Sequence, residues 1–123
     1  MVGYTTFGTN DLPRAKTFFD ALFGEFGFKQ IMESDRLVLW GRGMGDGMFA
    51  VCKPFDEQPA TVGNGVMVAI RMDDRAAVDR LHAKALELGA SDEGAPGQRN
   101  ETFYGAYFRD LDGNKFCGFV MGA

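Results

Sequence analysis

Apolar residues recur at helical spacing in two stretches of the chain, each framed by short runs of strand character. Leu12, Ala15, Phe18, Phe19, Leu22 and Phe23 fall on one face of a 3.6-residue helix. Thr9, Asn10 and Asp11 offer N-cap oxygens ahead of it, Pro13 suits its first turn and Gly24 can end it. The Thr- and aromatic-rich run 2–8 predicts a strand before this helix. Runs 25–33, 36–40 and Met48–Cys52 predict three strands after it, separated by Ser34-Asp35 and by a glycine-rich turn over 41–47. Residues 53–63, with Pro54 and Pro59, read as a linker.

The order then repeats. Residues 64–72 predict a strand, Asp73 and Asp74 supply caps, and Val78, Leu81, Ala85 and Leu88 form a second helical stripe that stops at Gly89. Residues 94–97, Gly-Ala-Pro-Gly, predict a loop. Phe103–Arg109 and Lys115–Met121 predict strands joined through Asp110-Leu111-Asp112-Gly113-Asn114, in which Asp-Gly is a hairpin signal. An offset of 63 residues lays Asp11 on Asp74, Ala15 on Val78, Phe18 on Leu81 and Phe23 on Leu86, and an offset of 66 lays Asp46-Gly47 on Asp112-Gly113. Each half therefore carries one helix and one small sheet that cannot close a core alone.

Composition narrows the class. With 123 residues, 46% of them hydrophobic, the chain suits one α+β domain, 1–123, of two modules at about 1–55 and 63–123. The longest strictly apolar stretch of the second half, 66–70, is far short of the roughly 20 residues of a spanning helix, and the start of the chain lacks the pattern of a signal peptide. A soluble, cytoplasmic protein without membrane association is expected. A net charge of -4, with 13 scattered basic residues, argues against a nucleic-acid partner. Cys52 and Cys117 lie in apolar strand contexts, not in a CxxC pair, and read as reduced thiols.

Gly8-Thr9-Asn10-Asp11-Leu12 ahead of an Ala/Phe-rich helix, and Tyr104-Gly105-Ala106-Tyr107-Phe108-Arg109-Asp110-Leu111-Asp112-Gly113-Asn114-Lys115 at the closing hairpin, resemble the glyoxalase/bleomycin-resistance/dioxygenase (vicinal oxygen chelate) superfamily. Leu111 stands where that hairpin usually has proline. With 64–69 and 93–97 the resemblance spans the whole chain. It implies two βαβββ modules paired around a cleft, a glyoxalase-like fold, and commonly a homodimer. It also implies metal-ligand positions on the first and last strands of each module, usually His and Glu. Counted from the helix-opening Asp and the Asp-Gly turns, those positions are Tyr4, Val51, Met67 and Cys117. Valine and a thioether are no ligands for a hard or borderline catalytic metal, so neither a metal nor another cofactor is expected.

Strand alternation then groups Thr6 with Tyr4, Ala69 and Arg71 with Met67, Phe49 with Val51, and Lys115 and Phe119 with Cys117. Tyr4, Thr6, Phe49, Met67, Ala69, Arg71, Lys115, Cys117 and Phe119 are the candidate ligand-binding residues, an apolar and aromatic wall with cationic ends. No catalytic residue is assigned. His82, the single histidine, reads as a helix-packing or surface residue, and Cys117 has no Cys-His pairing to activate it. Arg99 and Tyr104 flank the approach to the last hairpin, within reach of the cleft mouth. Three functions stay open: a metal-free binding protein for a small, partly apolar molecule; a lyase, isomerase or dioxygenase of the same superfamily; and an interaction module without a ligand.

Overall fold

The computed structural model describes residues 1–43 and 45–122; Met44, inside the expected turn over 41–47, and Ala123 lie outside the described residues. The chain divides into two compact units, 1–62 and 63–123. Both have the order strand, helix, strand, strand, strand, which gives the α+β glyoxalase-like fold.

In the first unit β1 (Tyr4–Gly8), β2 (Lys29–Glu33), β3 (Leu37–Gly41) and β4 (Met48–Cys52) form a sheet of order β1-β4-β3-β2, with β1 parallel to β4 and the other pairs antiparallel. Helix α1 (Leu12–Gly24) starts where the Asp11 carboxylate accepts from the Arg14 amide at 3.0 Å. It buries the six residues of the expected stripe. Phe19 sits at the middle of that core, its ring 4.9–5.4 Å from those of Phe18, Phe23, Trp40 and Phe49. Burial of such a side chain stabilises the unit by about 1.5–3 kcal/mol, and aromatic pairing adds about 0.5–1.5 kcal/mol. The Trp40 indole N–H is satisfied by the Asp20 carboxylate at 2.9 Å.

In the second unit β5 (Val68–Arg71), β6 (Ser91–Gln98), β7 (Phe103–Arg109) and β8 (Lys115–Met121) form a sheet of order β5-β8-β7-β6, again with a parallel first pair, β5 and β8. Helix α2 (Arg75–Glu87) is capped by Asp74, whose carboxylate accepts from the Ala77 amide at 2.8 Å. It packs Val78, Leu81 and Ala85 on the sheet. Gly89, at φ +105°, turns the chain out of the helix. His82 is buried, and its Nε2 lies 2.9 Å from the Asp92 carboxylate, tying α2 to β6. No described helix is long and apolar enough to cross a membrane.

Two expectations change. Residues 94–97 are not a loop but part of β6. Because β6 is an edge strand, Pro96 breaks no internal ladder, and register shifts at Asp92/Gly94 and Gly94/Gly97 absorb the irregular backbone. The strands expected over 64–72 and 25–33 are shorter, Val68–Arg71 and Lys29–Glu33.

Candidate functional site

A helix covers one face of each sheet, so the opposite face is where side chains can meet a ligand. In the second unit the partners Val68, Phe116 and Phe108, and Ile70, Gly118 and Ala106, lie on the α2 side. Alternation therefore sets Ala69, Cys117 and Tyr107 in one row across the opposite face, and Arg71, Phe119 and Gly105 in the next. Lys115 lies two positions before Cys117 on the same face, and Met67, just ahead of β5, is 43% exposed. The structure thus brings Ala69, Arg71, Lys115, Cys117 and Phe119 together.

Around them stand Phe103 and Tyr107, which the sequence does not single out, and Arg99, which it sets at the approach to the last hairpin. The Phe103 ring stacks on Phe119, centroids 5.3 Å apart and planes 7° apart. It lies so close over Gly105 that a Cβ there would meet it at 2.6 Å, so the absent side chain makes room for the stack. Tyr107 sits beside Cys117, with the Arg99 guanidinium 5.4 Å and the Lys115 ammonium 5.5 Å from its ring centre. Tyr107 was legible, because the five-residue hairpin loop pairs Arg109 with Lys115 and hence Tyr107 with Cys117. Tyr104 belongs to the other face: its hydroxyl donates to Asp79 of α2 at 2.6 Å, which raises its pKa, and it is no part of this wall.

Electrostatics argue against a reactive thiol. Burial pushes the Cys117 pKa up, and the opposing pull of the Tyr107 side chain, Arg99 and Lys115 does not reverse it. Tyr107 is raised too, by its own burial and then by Cys117. Cys117 is fully buried and both cysteines are free thiols.

In the first unit Tyr4 pairs with Met48 and Thr6 with Ala50, and all four lie on the face opposite α1. Phe49 and Val51 do not. Phe49 is 7% exposed and packs against Phe7, Phe19 and Phe23 on the α1 side, so its place in the ligand wall is withdrawn. The offset of 66 misassigned these strands by one residue, and a one-residue slip moves a side chain to the other face. By pairing register, Ala50 and not Val51 is the counterpart of Cys117.

The family model for the Glyoxalase/Bleomycin resistance protein/Dioxygenase superfamily matches residues 2–117. The chain belongs to this superfamily. A glyoxalase/bleomycin resistance protein from Albidiferax ferrireducens T118 is 32% identical over 99% of both chains, with a TM-score of 0.90. Two more distant members of the fold are similar in structure. They are a lactoylglutathione lyase from Agrobacterium tumefaciens (22% identity, 98% of this chain and 92% of that one, TM-score 0.73) and a fosfomycin resistance protein from Mesorhizobium loti (22%, 99% and 92%, 0.68). No curated protein matches the chain.

The metal expected of the superfamily does not fit these residues. Its four strand positions carry Tyr4, Ala50, Met67 and Cys117, of which alanine has no donor atom and the thioether is soft, so that one phenol and one thiol are too few donors for a catalytic metal. Among the described residues no three His, Cys, Asp or Glu side chains gather closely enough to bind an ion.

Proposed function

We propose that this superfamily member is a metal-independent binder of a small, partly apolar, anionic molecule, held on the second sheet's face opposite α2. The observation that carries the reading is the lining. Where a chelating site needs imidazoles and carboxylates, this face has Ala69, Tyr107 and the Phe103–Phe119 stack, with Arg71 and Lys115 not ion-paired among the described residues. An apolar wall with a few placed charges is the usual make-up of a small-molecule site. Met67, exposed just ahead of β5, serves as a further contact. Two free cysteines accord with action in a reducing cytoplasm.

A thermal-shift screen of aromatic and aliphatic carboxylates tests this. A ligand at a hundredfold excess over its Kd stabilises the native state by about 2.7 kcal/mol, which corresponds to about 10 °C for a chain of this length. Ala69→Trp, which fills the space beside Cys117 and removes no charge, is expected to abolish the shift. A hit unaffected by Ala69→Trp would place binding elsewhere, and a screen without hits would favour a module that recognises no small molecule.

A further inference from the structure

We infer that Arg99 and Lys115, set around Tyr107, form the subsite that reads the ligand's anionic group, and that the ligand is a planar aromatic carboxylate. This rests on the reading above and goes beyond it, because it fixes the end of the wall at which the charge lies. Arg99 reaches the site because two positions of β6 lack side chains. Its Nη2 donates to the Ala95 carbonyl at 2.6 Å, and the guanidinium lies so close over the strand that a Cβ on Gly97 would meet Nη1 at 2.9 Å and one on Gly94 would meet Nη2 at 3.3 Å. The fork is thereby laid back along β6, beside the Tyr107 ring.

Charge points the same way. The chain has 17 acidic residues for 13 basic ones, and Arg109, next to Lys115 on this face, is neutralised by Glu93 at 2.7 Å. Yet neither Arg99 nor Lys115 has a carboxylate partner among the described residues, although both flank one ring. A guanidinium with a free edge can hold a planar carboxylate through two parallel hydrogen bonds, and an ammonium beside it adds a point charge.

The spacing supplies the rest. Tyr107 pairs with Cys117, and the Phe103–Phe119 stack begins two residues further along β8, about 7 Å at roughly 3.3 Å per residue. That is the span of an aromatic ring bearing a carboxylate. The ring would lie toward Phe119 and the acid toward Tyr107.

Isothermal titration with 2-naphthoate and its uncharged isostere 2-naphthamide tests the assignment. The wild type is expected to prefer naphthoate at least tenfold. Arg99→Met and Lys115→Met should each weaken naphthoate about tenfold while leaving naphthamide unchanged. Gly97→Ala, which keeps the charge and displaces the fork, should weaken naphthoate several-fold. Arg71→Met, which removes the other charge of the wall, should weaken naphthoate less than Arg99→Met or Lys115→Met does, and melting curves establish that each variant is folded. Loss of the preference in Arg71→Met alone would overturn the subsite by placing the charge reader at the opposite end. Equal binding of both probes would overturn the anion subsite and leave the apolar wall standing. Binding of neither would refute the wall and the subsite together.

Discussion

Gly118 lies in β8 between Ile70 and Ala106, on the α2 side of the sheet, where a Cβ would come 2.5 Å from Leu81 Cδ2. Carbon atoms in good contact stand about 3.5–4.0 Å apart. Gly118→Ala therefore forces Leu81 or the helix to move by about an ångström. Leu81 is 1% exposed and has no solvent-filled space to enter. Overpacking of this kind costs about 1–3 kcal/mol. Gly118 is not in a left-handed conformation, so alanine regains about 0.4–1 kcal/mol by restricting the unfolded chain, and the net loss is about 1–2 kcal/mol. Unfolding entropy of about 2.1 cal/mol/K per residue makes this a fall in Tm of about 4–8 °C for the chain. Circular dichroism melts of Gly118→Ala, Leu81→Ala and the double variant measure it. Leu81→Ala alone should cost about 2–5 kcal/mol. The double variant should be more stable than the sum of the two by about 1 kcal/mol or more, because the new methyl occupies part of the vacated space. An unchanged Tm in Gly118→Ala, or strict additivity in the cycle, would refute close packing of α2 on β8.

Three other outcomes are expected. The Gly94 amide, followed by His82, holds the Asp92 carboxyl below its ordinary pKa. At mildly acidic pH the folded state thus binds fewer protons than the unfolded chain, and the stabilisation is complete above about pH 4 and lost as pH falls through the folded value. The stability difference between wild type and Asp92→Asn, followed by urea melts from pH 6 to pH 2, should shrink on acidification; a constant difference would contradict the pairing. Elemental analysis of protein purified without chelator should find no stoichiometric transition metal, and one that disappears on changing Tyr4 or Cys117 would overturn the chemistry argued for those strands. Exposed Phe55, Val66 and Met121 leave apolar surface that a two-fold interface would cover, so light scattering at micromolar protein should give the mass of a homodimer, and a monomer mass would remove that proposal.

Much of the architecture was legible because it is written in short-range patterns. The stripe Leu12 to Phe23, the capping residues Asp11 and Asp74 and the Asp-Gly hairpin each act within a few residues, so a one-dimensional reading finds them. The strand order of the second sheet was harder. Gly94 to Gly97 has the composition of a loop, and only its pairing with the next strand, β7, makes it a strand. Composition reports what backbone an isolated segment prefers, whereas pairing at a sheet edge overrides that preference.

By itself the sequence determined that the chain has two helix-and-sheet repeats and that its superfamily is the glyoxalase one. Those facts depend on residue identity at positions countable from a cap or a turn. The face occupied by each side chain was decided by tertiary structure. The β1–β4 register turned Phe49 toward α1 and set Ala50 in place of Val51, since one residue of slip in a pleated strand reverses the side on which every side chain stands. The position of Arg99 over Tyr107 was likewise decided by strand pairing. Two glycines in β6 left open the space over which its guanidinium lies, and the pairing of β6 with β7 brought that space beside the ring.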